Sequence, residues 1–472
     1  MATIVTRNPH TGGELAAYET MDADGVETAC ARAESAARAW AEVPVANRVA
    51  LLRALGTLLT ERRERYAALI TAEMGKPITE ALGEIDKCAL SCALVADRAP
   101  EWLADEVVDT PAQRSWVAYR PLGVVVAVMP WNFPFWQVIR FACAALVAGN
   151  AGLLKHSPNV TGCALALEAV IDDAAAACGA PAHLLQALVV AEDAVPQVIT
   201  ALVDDDRIAA ATLTGSERAG AAVGAAAGAA LKKVVLELGG SDPFVVLDDA
   251  DLDAAADAAI RSRFGNSGQS CIAAKRWIVQ ETVADAFVDR VLTRLDRLVA
   301  GDPADPTTTI GPMARSDLRY AVHEQVVATV AEGATLITGG VLPQGPGCHY
   351  PPTLLDHVST GMTAARMETF GPVACVIRVR DDEEAVAAAN ATAYGLGASV
   401  WSQSDRGLAV GQRIRSGALF VNAVVASDAR MPFGGIGRSG HGRELGAIGV
   451  REFTNVRTVW VGDGAGLPVI AE

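Results

Sequence analysis

One cysteine of the chain lies in the kind of polar, glycine-containing segment that exposes a reactive side chain. Residues 264–276 read FGNSGQSCIAAKR, in which glycines and small polar residues lead into Cys271. A thiol on such a turn is accessible, and nearby backbone N–H groups stabilise its thiolate. Most cysteines are buried and inert. The polar surroundings of Cys271 instead favour a nucleophile.

Two other polar residues directly follow or interrupt apolar, strand-like runs. Glu237 interrupts KKVVLELGG, and Asn132 lies in PWNFPFWQVIR (130–140), which follows GVVVAVM. Burial raises the pKa of an unpaired carboxyl group, which then acts as a general base near neutral pH. The Asn132 amide is placed to donate to a developing oxyanion. The alternatives from these stretches alone are a solvated strand end for Glu237 and a turn former for Asn132.

The segment LTGSERAG (213–220) forms a turn between a strand-like run and an alanine-rich helix. Phosphate groups bind at such helix N-termini because unpaired N–H groups and the helix dipole both favour an anion. The segment lacks the complete G-x-G-x-x-G pattern, since only Gly215 and Gly220 are present. Capping of the helix alone is the alternative interpretation.

Other chemistries that use cysteine are less well supported by the sequence. A cysteine hydrolase needs a histidine base close to its thiol, and of the seven histidines only His156 and His441 lie inside motifs. No cluster of Cys, His and Asp has the spacing of metal ligands, so we expect no metal site.

The elements that position these residues alternate along the chain. Residues 26–106 carry apolar side chains at three- and four-residue spacing, which is typical of helices. From residue 113 onward, short β-branched runs alternate with alanine-rich helical stretches. This pattern predicts an α/β protein with doubly wound parallel sheets, including a second α/β unit at 244–433. We expect the last run, NVRTVWVG, to pair with the strand near 114–120, in the same or another subunit.

Composition limits the classes of partner. The formal net charge of −16 argues against nucleic acid and anionic membrane surfaces, so a small molecule is the expected partner. The nine scattered cysteines are typical of a reducing compartment. The first residues lack the pattern of a signal peptide, and no apolar run reaches the roughly 18 residues that span a bilayer. We therefore expect a cytoplasmic protein that contacts no membrane.

Taken together, the motifs resemble those of the aldehyde dehydrogenase superfamily along nearly the whole chain. They are PWNFP, LTGS, LELGG, GQSC, METFGP (367–372) and MPFGGIGRSGHGRELG (431–446). The resemblance implies two doubly wound α/β domains and a small β flap that builds homodimers or homotetramers. It places the cofactor-binding domain at 1–112, 122–238 and 434–453, the catalytic domain at 239–433, and the oligomerisation flap at 113–121 and 454–472.

The same resemblance implies a mechanism for this chain. Cys271 is expected to attack the aldehyde carbon, and Asn132 and the Cys271 N–H are expected to hold the oxyanion that forms. Loss of hydride leaves a thioester on Cys271. Glu237 is then expected to activate the water that hydrolyses this thioester. NAD or NADP is the implied hydride acceptor. Lys155 is expected at the adenosine ribose and Glu368 at the nicotinamide ribose. The implied cofactor-binding residues are Pro130, Trp131, Lys155, Ser157, Pro158, Thr214, Gly215, Ser216, Leu238, Glu368 and Phe370.

The choice between the two cofactors depends on position 158. NAD-preferring relatives have a glutamate there, which grips the ribose 2′-hydroxyl and repels a 2′-phosphate, whereas this chain has Pro158. Without that carboxylate, Lys155 and Ser157 are available to a 2′-phosphate. The sequence is compatible with both cofactors, and these three residues favour NADP.

Within the superfamily, the sequence most resembles the bacterial succinate-semialdehyde dehydrogenases. By resemblance, Trp136, Arg140 and Ser427 bind the substrate, and Arg140 supplies a cation for its carboxylate. Gly265 replaces an arginine that some relatives place six residues before the nucleophile. Other ω-carboxylated or uncharged aldehydes therefore stay open as substrates, and a catalytically silent relative is the remoter alternative.

Overall fold

The structure is a computed structural model, and it describes residues 2–462 and 464. The chain begins with an antiparallel hairpin of β1 (Thr3–Arg7) and β2 (Glu14–Glu19). Four helices follow, namely α1 (Ala23–Ala41), α2 (Val45–Glu61), α3 (Arg63–Met74) and α4 (Ile78–Trp102). The predicted helical region at 26–106 is confirmed up to residue 102. The hairpin was not predicted, because each of its strands is too short for a clear alternation.

A six-stranded sheet follows the helices. Its spatial order is β17-β9-β8-β5-β6-β7, and all strands except β17 run parallel. The strands are β5 (Val124–Met129), β6 (Ala151–His156), β7 (Leu185–Ala187), β8 (Ile208–Thr214), β9 (Lys233–Glu237) and β17 (Gly440–His441). Its helices are α5 (Trp136–Ala148), α6 (Thr161–Cys178), α7 (Val195–Asp204) and α8 (Glu217–Ala229).

The strand order of this sheet reverses at β5, with β6 on one side and β8 on the other. Ligands of open α/β sheets bind at such a switch point, outside the carboxyl ends of the strands. The segments after β5 and β8 are the PWN and TGS motifs of the sequence. The topology therefore brings these two motifs to one crevice.

The second sheet has seven strands in the order β12-β13-β14-β11-β10-β15-β16, and β12 alone is antiparallel to its neighbour. Its strands are β10 (Asp242–Val246), β11 (Ala274–Gln280), β12 (Thr335–Thr338), β13 (Thr353–Asp356), β14 (Val373–Val379), β15 (Gly397–Trp401) and β16 (Ala418–Val421). The predicted second doubly wound unit is confirmed.

Further helices accompany the second sheet and the C-terminal part of the chain. They are α9 (Leu252–Phe264), α10 (Glu281–Leu295), α11 (Ser316–Ala331), α12 (Thr363–Arg366), α13 (Asp382–Asn390), α14 (Ser404–Gly411) and α15 (Gly446–Glu452). None of the helices within the described residues is long and apolar enough to cross a membrane.

A third sheet is antiparallel and has three strands. It consists of β3 (Glu106–Val107), β4 (Arg114–Pro121) and β18 (Thr454–Val461), in the order β18-β4-β3. The predicted pairing of NVRTVWVG with the strand near 114–120 is confirmed, and it occurs within one chain. Of the C-terminal segment assigned to the flap, residues 463 and 465–472 lie outside the described residues.

Candidate active site

The turn before Cys271 has an unusual backbone. Asn266, Ser267 and Gly268 have positive φ angles of 53°, 52° and 72°. Such left-handed backbone costs about 1–2 kcal/mol for each residue other than glycine. A Cβ atom at Gly268 would lie 2.2 Å from the carbonyl oxygen of Gly371, so only glycine fits there. The surrounding structure must therefore stabilise the turn.

Hydrogen bonds hold this turn from several sides. The Asn266 side-chain amide donates to the carbonyl oxygens of Asn132 (2.8 Å) and Gln269 (3.1 Å). The Asn266 N–H donates to the carboxylate of Glu80 at 2.7 Å. The buried guanidinium of Arg263 donates to the carbonyl of Gly268 at 3.2 Å. The turn is thereby fixed against the loop that follows β5.

Two cavities meet at Cys271. Cavity I has a volume of about 250 Å³ and lies at the carboxyl edge of the six-stranded sheet. Cavity II has a volume of about 350 Å³ and lies between α4, α5 and the loop after β16. Cys271 lines both cavities and is half-buried. This residue therefore stands at the boundary between the two spaces.

The structure brings most of the predicted site residues into these cavities. Those that line cavity I with Cys271 are Pro130, Trp131, Asn132, Thr214, Gly215, Ser216, Leu238, Glu368 and Phe370. Those that line cavity II are Trp136, Arg140 and Ser427. Glu237, Lys155, Ser157 and Pro158 line neither cavity.

Burial raises the pKa of the Cys271 thiol to about 11, and the nearby ammonium of Lys275 opposes this rise. Lys275 donates to the carbonyl oxygen of Cys271 at 2.7 Å and pairs with Glu368 at 3.1 Å. Glu368 in turn accepts from the N–H of Gly240 at 3.0 Å. The sequence analysis did not identify Lys275 as a site residue, although its position four residues after the candidate nucleophile could have indicated one. At neutral pH the isolated site holds a neutral thiol.

The oxyanion candidate Asn132 is buried beside the thiol-bearing turn. One hydrogen of its side-chain amide donates to the carbonyl of Gln269 at 3.1 Å. An amide nitrogen carries two hydrogens, so a second donor position is left for a ligand. The side-chain oxygen of Asn132 is buried and has no hydrogen-bond partner within the described residues.

Lys155 lies near the end of β6, and Ser157 and Pro158 follow that strand, at the same sheet edge as the PWN motif. Lys155 lies level with Val128 in the pairing of β6 with β5. Its ammonium group donates to the carbonyl of His156, and burial lowers its pKa to about 8. The hydroxyl of Ser157 donates to the side-chain oxygen of Asn159 at 2.7 Å. These residues therefore border the crevice beyond cavity I.

The carboxylate of Glu237 is buried behind cavity I. Neither of its oxygens has a hydrogen-bond partner within residues 2–462. Its oxygen lies against the backbone of Gly434, where a Cβ atom would approach it to 2.4 Å. Burial, followed by the neighbouring Glu444, raises its pKa well above the usual range of a glutamate. In this orientation Glu237 lines neither cavity.

Arg140 reaches cavity II with its charge already balanced. Its guanidinium forms an ion pair with Glu444, and both side chains are almost fully buried. It also lies over the ring of Phe433, 4.9 Å from the centroid, and close to the Thr214 hydroxyl at 3.4 Å. The sequence analysis did not identify Glu444 as the partner of Arg140, because the two residues lie more than 300 positions apart and no local pattern links them.

The two histidines found inside motifs do not act on Cys271. His156 accepts from the N–H of Ser157 (2.9 Å) and donates through Nε2 to the carbonyl of Pro134 (2.9 Å), and burial lowers its pKa to about 4. It is thus a neutral residue that fixes the loop after β5. His441 lies exposed on β17. The described part of the chain contains no group of three or more metal-ligating side chains placed to hold an ion.

Cavity I and the adjoining sheet edge fit a dinucleotide. Ser216 caps α8, whose N–H groups face the crevice and favour a phosphate. Among the residues that the structure describes, the buried side-chain oxygen of Asn132 has no hydrogen-bond partner, and the carboxylate of Glu368 offers acceptors for hydroxyl groups. A Cβ atom at Gly239 would collide with Glu368 at 2.4 Å, so glycine keeps this wall open.

Comparisons with known proteins agree with this geometry. The model of the aldehyde dehydrogenase family matches residues 2–459. A probable succinate-semialdehyde dehydrogenase (NADP(+)) of Synechocystis sp. is 48% identical over 461 residues, which cover 97% of this chain and 99% of that protein. The succinate semialdehyde dehydrogenase (NAD(P)+) Sad of Escherichia coli is 46% identical over 457 residues, 97% of each chain.

The fold is also that of solved relatives. The crystal structure of succinic semialdehyde dehydrogenase from Streptococcus pyogenes, in complex with NADP+ as the cofactor, superimposes with a TM-score of 0.92. The two sequences are 34% identical, and the match covers 98% of this chain and 100% of that chain.

The raised pKa of the thiol predicts how Cys271 reacts in the cofactor-free protein. Because the thiolate is the nucleophile, its alkylation by iodoacetamide should accelerate about tenfold per pH unit between pH 7 and 9. Peptide mass spectrometry measures the rate at Cys271 separately from the half-buried Cys178 and Cys348. A rate that levels off below pH 8 would contradict the effect of burial.

Proposed function

Because the chain belongs to the aldehyde dehydrogenase family and oxidises an aldehyde with NADP or NAD, we propose that the aldehyde is succinate semialdehyde and that Cys271 forms the covalent intermediate. The observation that carries the proposal is the position of Cys271, which lines cavities I and II together. A thiol at that boundary reaches a substrate in cavity II and a cofactor in cavity I.

The residues around cavity I hold the cofactor. When bound, NADP or NAD supplies the oxidant, which takes up the hydride of the aldehyde carbon. Glu368 binds the nicotinamide ribose, and the perpendicular rings of Trp131 and Phe370, 5.7 Å apart, form the wall beside it. Lys155 and Ser157 bind the adenosine ribose, and Pro158 leaves its 2′ position without a repelling carboxylate. This set of residues accepts both cofactors and favours NADP.

The first chemical step joins sulfur and carbon. The sulfur of Cys271 attacks the aldehyde carbon, the carbonyl oxygen becomes an oxyanion, and the thiol proton leaves to water or a carboxylate. The second amide hydrogen of Asn132 and the N–H of Cys271 donate to that oxyanion. Loss of hydride from the same carbon leaves a thioester on the sulfur.

Glu237 then serves the hydrolytic step. Its carboxylate has to turn away from Gly434 toward Cys271, and no hydrogen bond within residues 2–462 resists the rotation. Burial raises the pKa of this carboxyl group, so the deprotonated carboxylate is a stronger base toward water than an exposed one. The hydroxide formed attacks the thioester carbon, and the acid leaves as the thiol regains its proton.

The lining of cavity II suits a short aldehyde with a polar far end. Trp136 forms an apolar wall, and Arg140 and the Ser427 hydroxyl lie beyond it. Gly265 leaves this side of the cavity open, since only the Glu80 carboxylate lies within reach of a Cβ atom there, at 4.0 Å. A semialdehyde carboxylate suits this polar end of the cavity, and the identities of 45–48% to named succinate-semialdehyde dehydrogenases support the choice.

We extend the proposal to domains, assembly and compartment. The cofactor-binding domain comprises 1–112, 122–238 and 434–453, and the catalytic domain comprises 239–433. The flap at 113–121 and 454–472 builds a homodimer or homotetramer, because its sheet exposes Val107, Val456 and Trp460. All nine cysteines lie in the described residues and are free, which supports a cytoplasmic location.

The central test of the function is turnover by the purified protein. With succinate semialdehyde and NADP or NAD, the absorbance of reduced nicotinamide should rise, and Cys271→Ala should abolish the rise because the nucleophile is lost. Cys178→Ala, at another half-buried thiol, is the matched control and should keep activity. Turnover that survives in Cys271→Ala would overturn the mechanism.

A second experiment separates the two halves of the reaction. Glu237→Gln should keep a pre-steady-state burst of reduced cofactor while steady turnover falls by about 100-fold or more, since a base contributes 10²–10⁴-fold. Stopped-flow absorbance measures both phases. An equal loss of burst and turnover would assign Glu237 to an earlier step.

The proposed assembly is tested on the flap. The double change Val456→Glu and Trp460→Glu should convert the oligomer to monomers, because it places charges on the sheet's exposed apolar face. Light scattering after size exclusion measures the mass. Leu90→Glu, on an exposed position of α4, is the control. A monomeric wild-type protein would contradict the proposal.

A further inference from the structure

The charges around cavity II show which cation is available to a substrate carboxylate. Arg140, the cation expected from the sequence, is paired with the buried Glu444. A guanidinium with such a partner offers a ligand little net charge. A carboxylate that enters cavity II therefore needs another positive group.

Lys87 is that group. It lies on α4 and lines cavity II together with Cys271 and Ser427. Its ammonium donates to the hydroxyl of Ser427 at 2.6 Å and stands 4.3 Å from the ring centroid of Trp136. Trp136 and Ser427, which the sequence analysis expects at the substrate, thus contact Lys87 directly.

The carboxylates near Lys87 are engaged elsewhere. Glu84, one turn earlier on α4, pairs with Lys76 and accepts from the N–H groups that begin α5. Asp428, beside Ser427, pairs with Arg430 at 2.6 Å. Within residues 2–462, no carboxylate forms an ion pair with Lys87. Its charge is therefore free for a ligand.

We propose that Lys87, together with the Ser427 hydroxyl it contacts, binds the far carboxylate of the substrate and selects ω-carboxylated over uncharged aldehydes. The inference deepens the proposed function and rests on it. In this arrangement Arg140 and Glu444 form a neutral wall, and Trp136 covers the hydrocarbon part of the substrate.

The ionisation of Lys87 agrees with this role. Burial first, and then the charge of Arg140 on α5, lower its pKa to about 8, while Cys88 and Glu84 on its own helix and Asp428 on the opposing loop act the other way. The ammonium is thus largely charged at pH 7 and loses its proton above pH 8. Affinity for a carboxylated substrate should fall over the same range.

The test compares two aldehydes of equal carbon number, succinate semialdehyde and butanal. Lys87→Met should raise the KM for succinate semialdehyde about 10- to 100-fold, as expected for loss of a charge-assisted hydrogen bond. The kcat/KM for butanal should stay within about twofold, because no carboxylate is bound. Lys87→Arg should restore part of the affinity.

A pH profile gives an independent readout. In the wild type, the KM for succinate semialdehyde should rise above pH 8 while the KM for butanal stays level. In Lys87→Arg the rise should disappear from this range, because a guanidinium stays charged. An unchanged profile in Lys87→Arg would assign the titration to another group and overturn the inference.

Arg261 is the alternative candidate for binding the substrate carboxylate, since it is an exposed cation that also lines cavity II. Loss of succinate semialdehyde affinity in Arg261→Met but not in Lys87→Met would overturn the inference, as would an equal loss for both aldehydes in Lys87→Met. Wild-type turnover without preference for the carboxylated aldehyde overturns this inference alone. Wild-type turnover of neither aldehyde overturns the proposed function as well.

Discussion

The site depends on one constraint, which is that the turn before Cys271 is held in left-handed backbone. Asn266 and Ser267 adopt positive φ without being glycine, and Gly268 has no room for a Cβ atom. The Asn266 amide joins this turn, which leads into the second sheet, to the carbonyl of Asn132 at the edge of the first. Together with the hydrogen bonds to Glu80 and from Arg263, this side chain positions Cys271 between the two cavities.

Around this junction, several buried charges form ion pairs, and burial shifts the pKa values of other titratable groups. Glu84 with Lys76, Glu444 with Arg140 and Glu368 with Lys275 form ion pairs at or below the cavity walls. Burial raises the pKa values of the Cys271 thiol and the Glu237 carboxyl and lowers that of the Lys87 ammonium. Burial thus opposes the charged forms of these three groups, while the paired charges hold the walls.

The sequence predicted the parts of the molecule that local patterns determine. Strands β5, β8 and β9, and the motifs that follow them, could be read from β-branched runs and glycine turns, so Cys271 and Asn132 were found in their cavity. The orientation of the Glu237 carboxylate depends on its packing against Gly434, which is distant in sequence. The residues around Glu237 therefore do not predict it. The contact of Lys87 with Ser427 spans 340 positions and follows only from the packing of α4 against a distant loop.

The central claim, that Cys271 carries the acyl group between the two cavities, is tested most directly by trapping the intermediate. Glu237→Gln protein is mixed with succinate semialdehyde and NADP, quenched with acid and digested, and its peptides are weighed by mass spectrometry. The account predicts a succinyl group on the peptide that contains Cys271, removable by hydroxylamine as a thioester is. Acylation of another peptide, or turnover with no acylated peptide at any time, would contradict it.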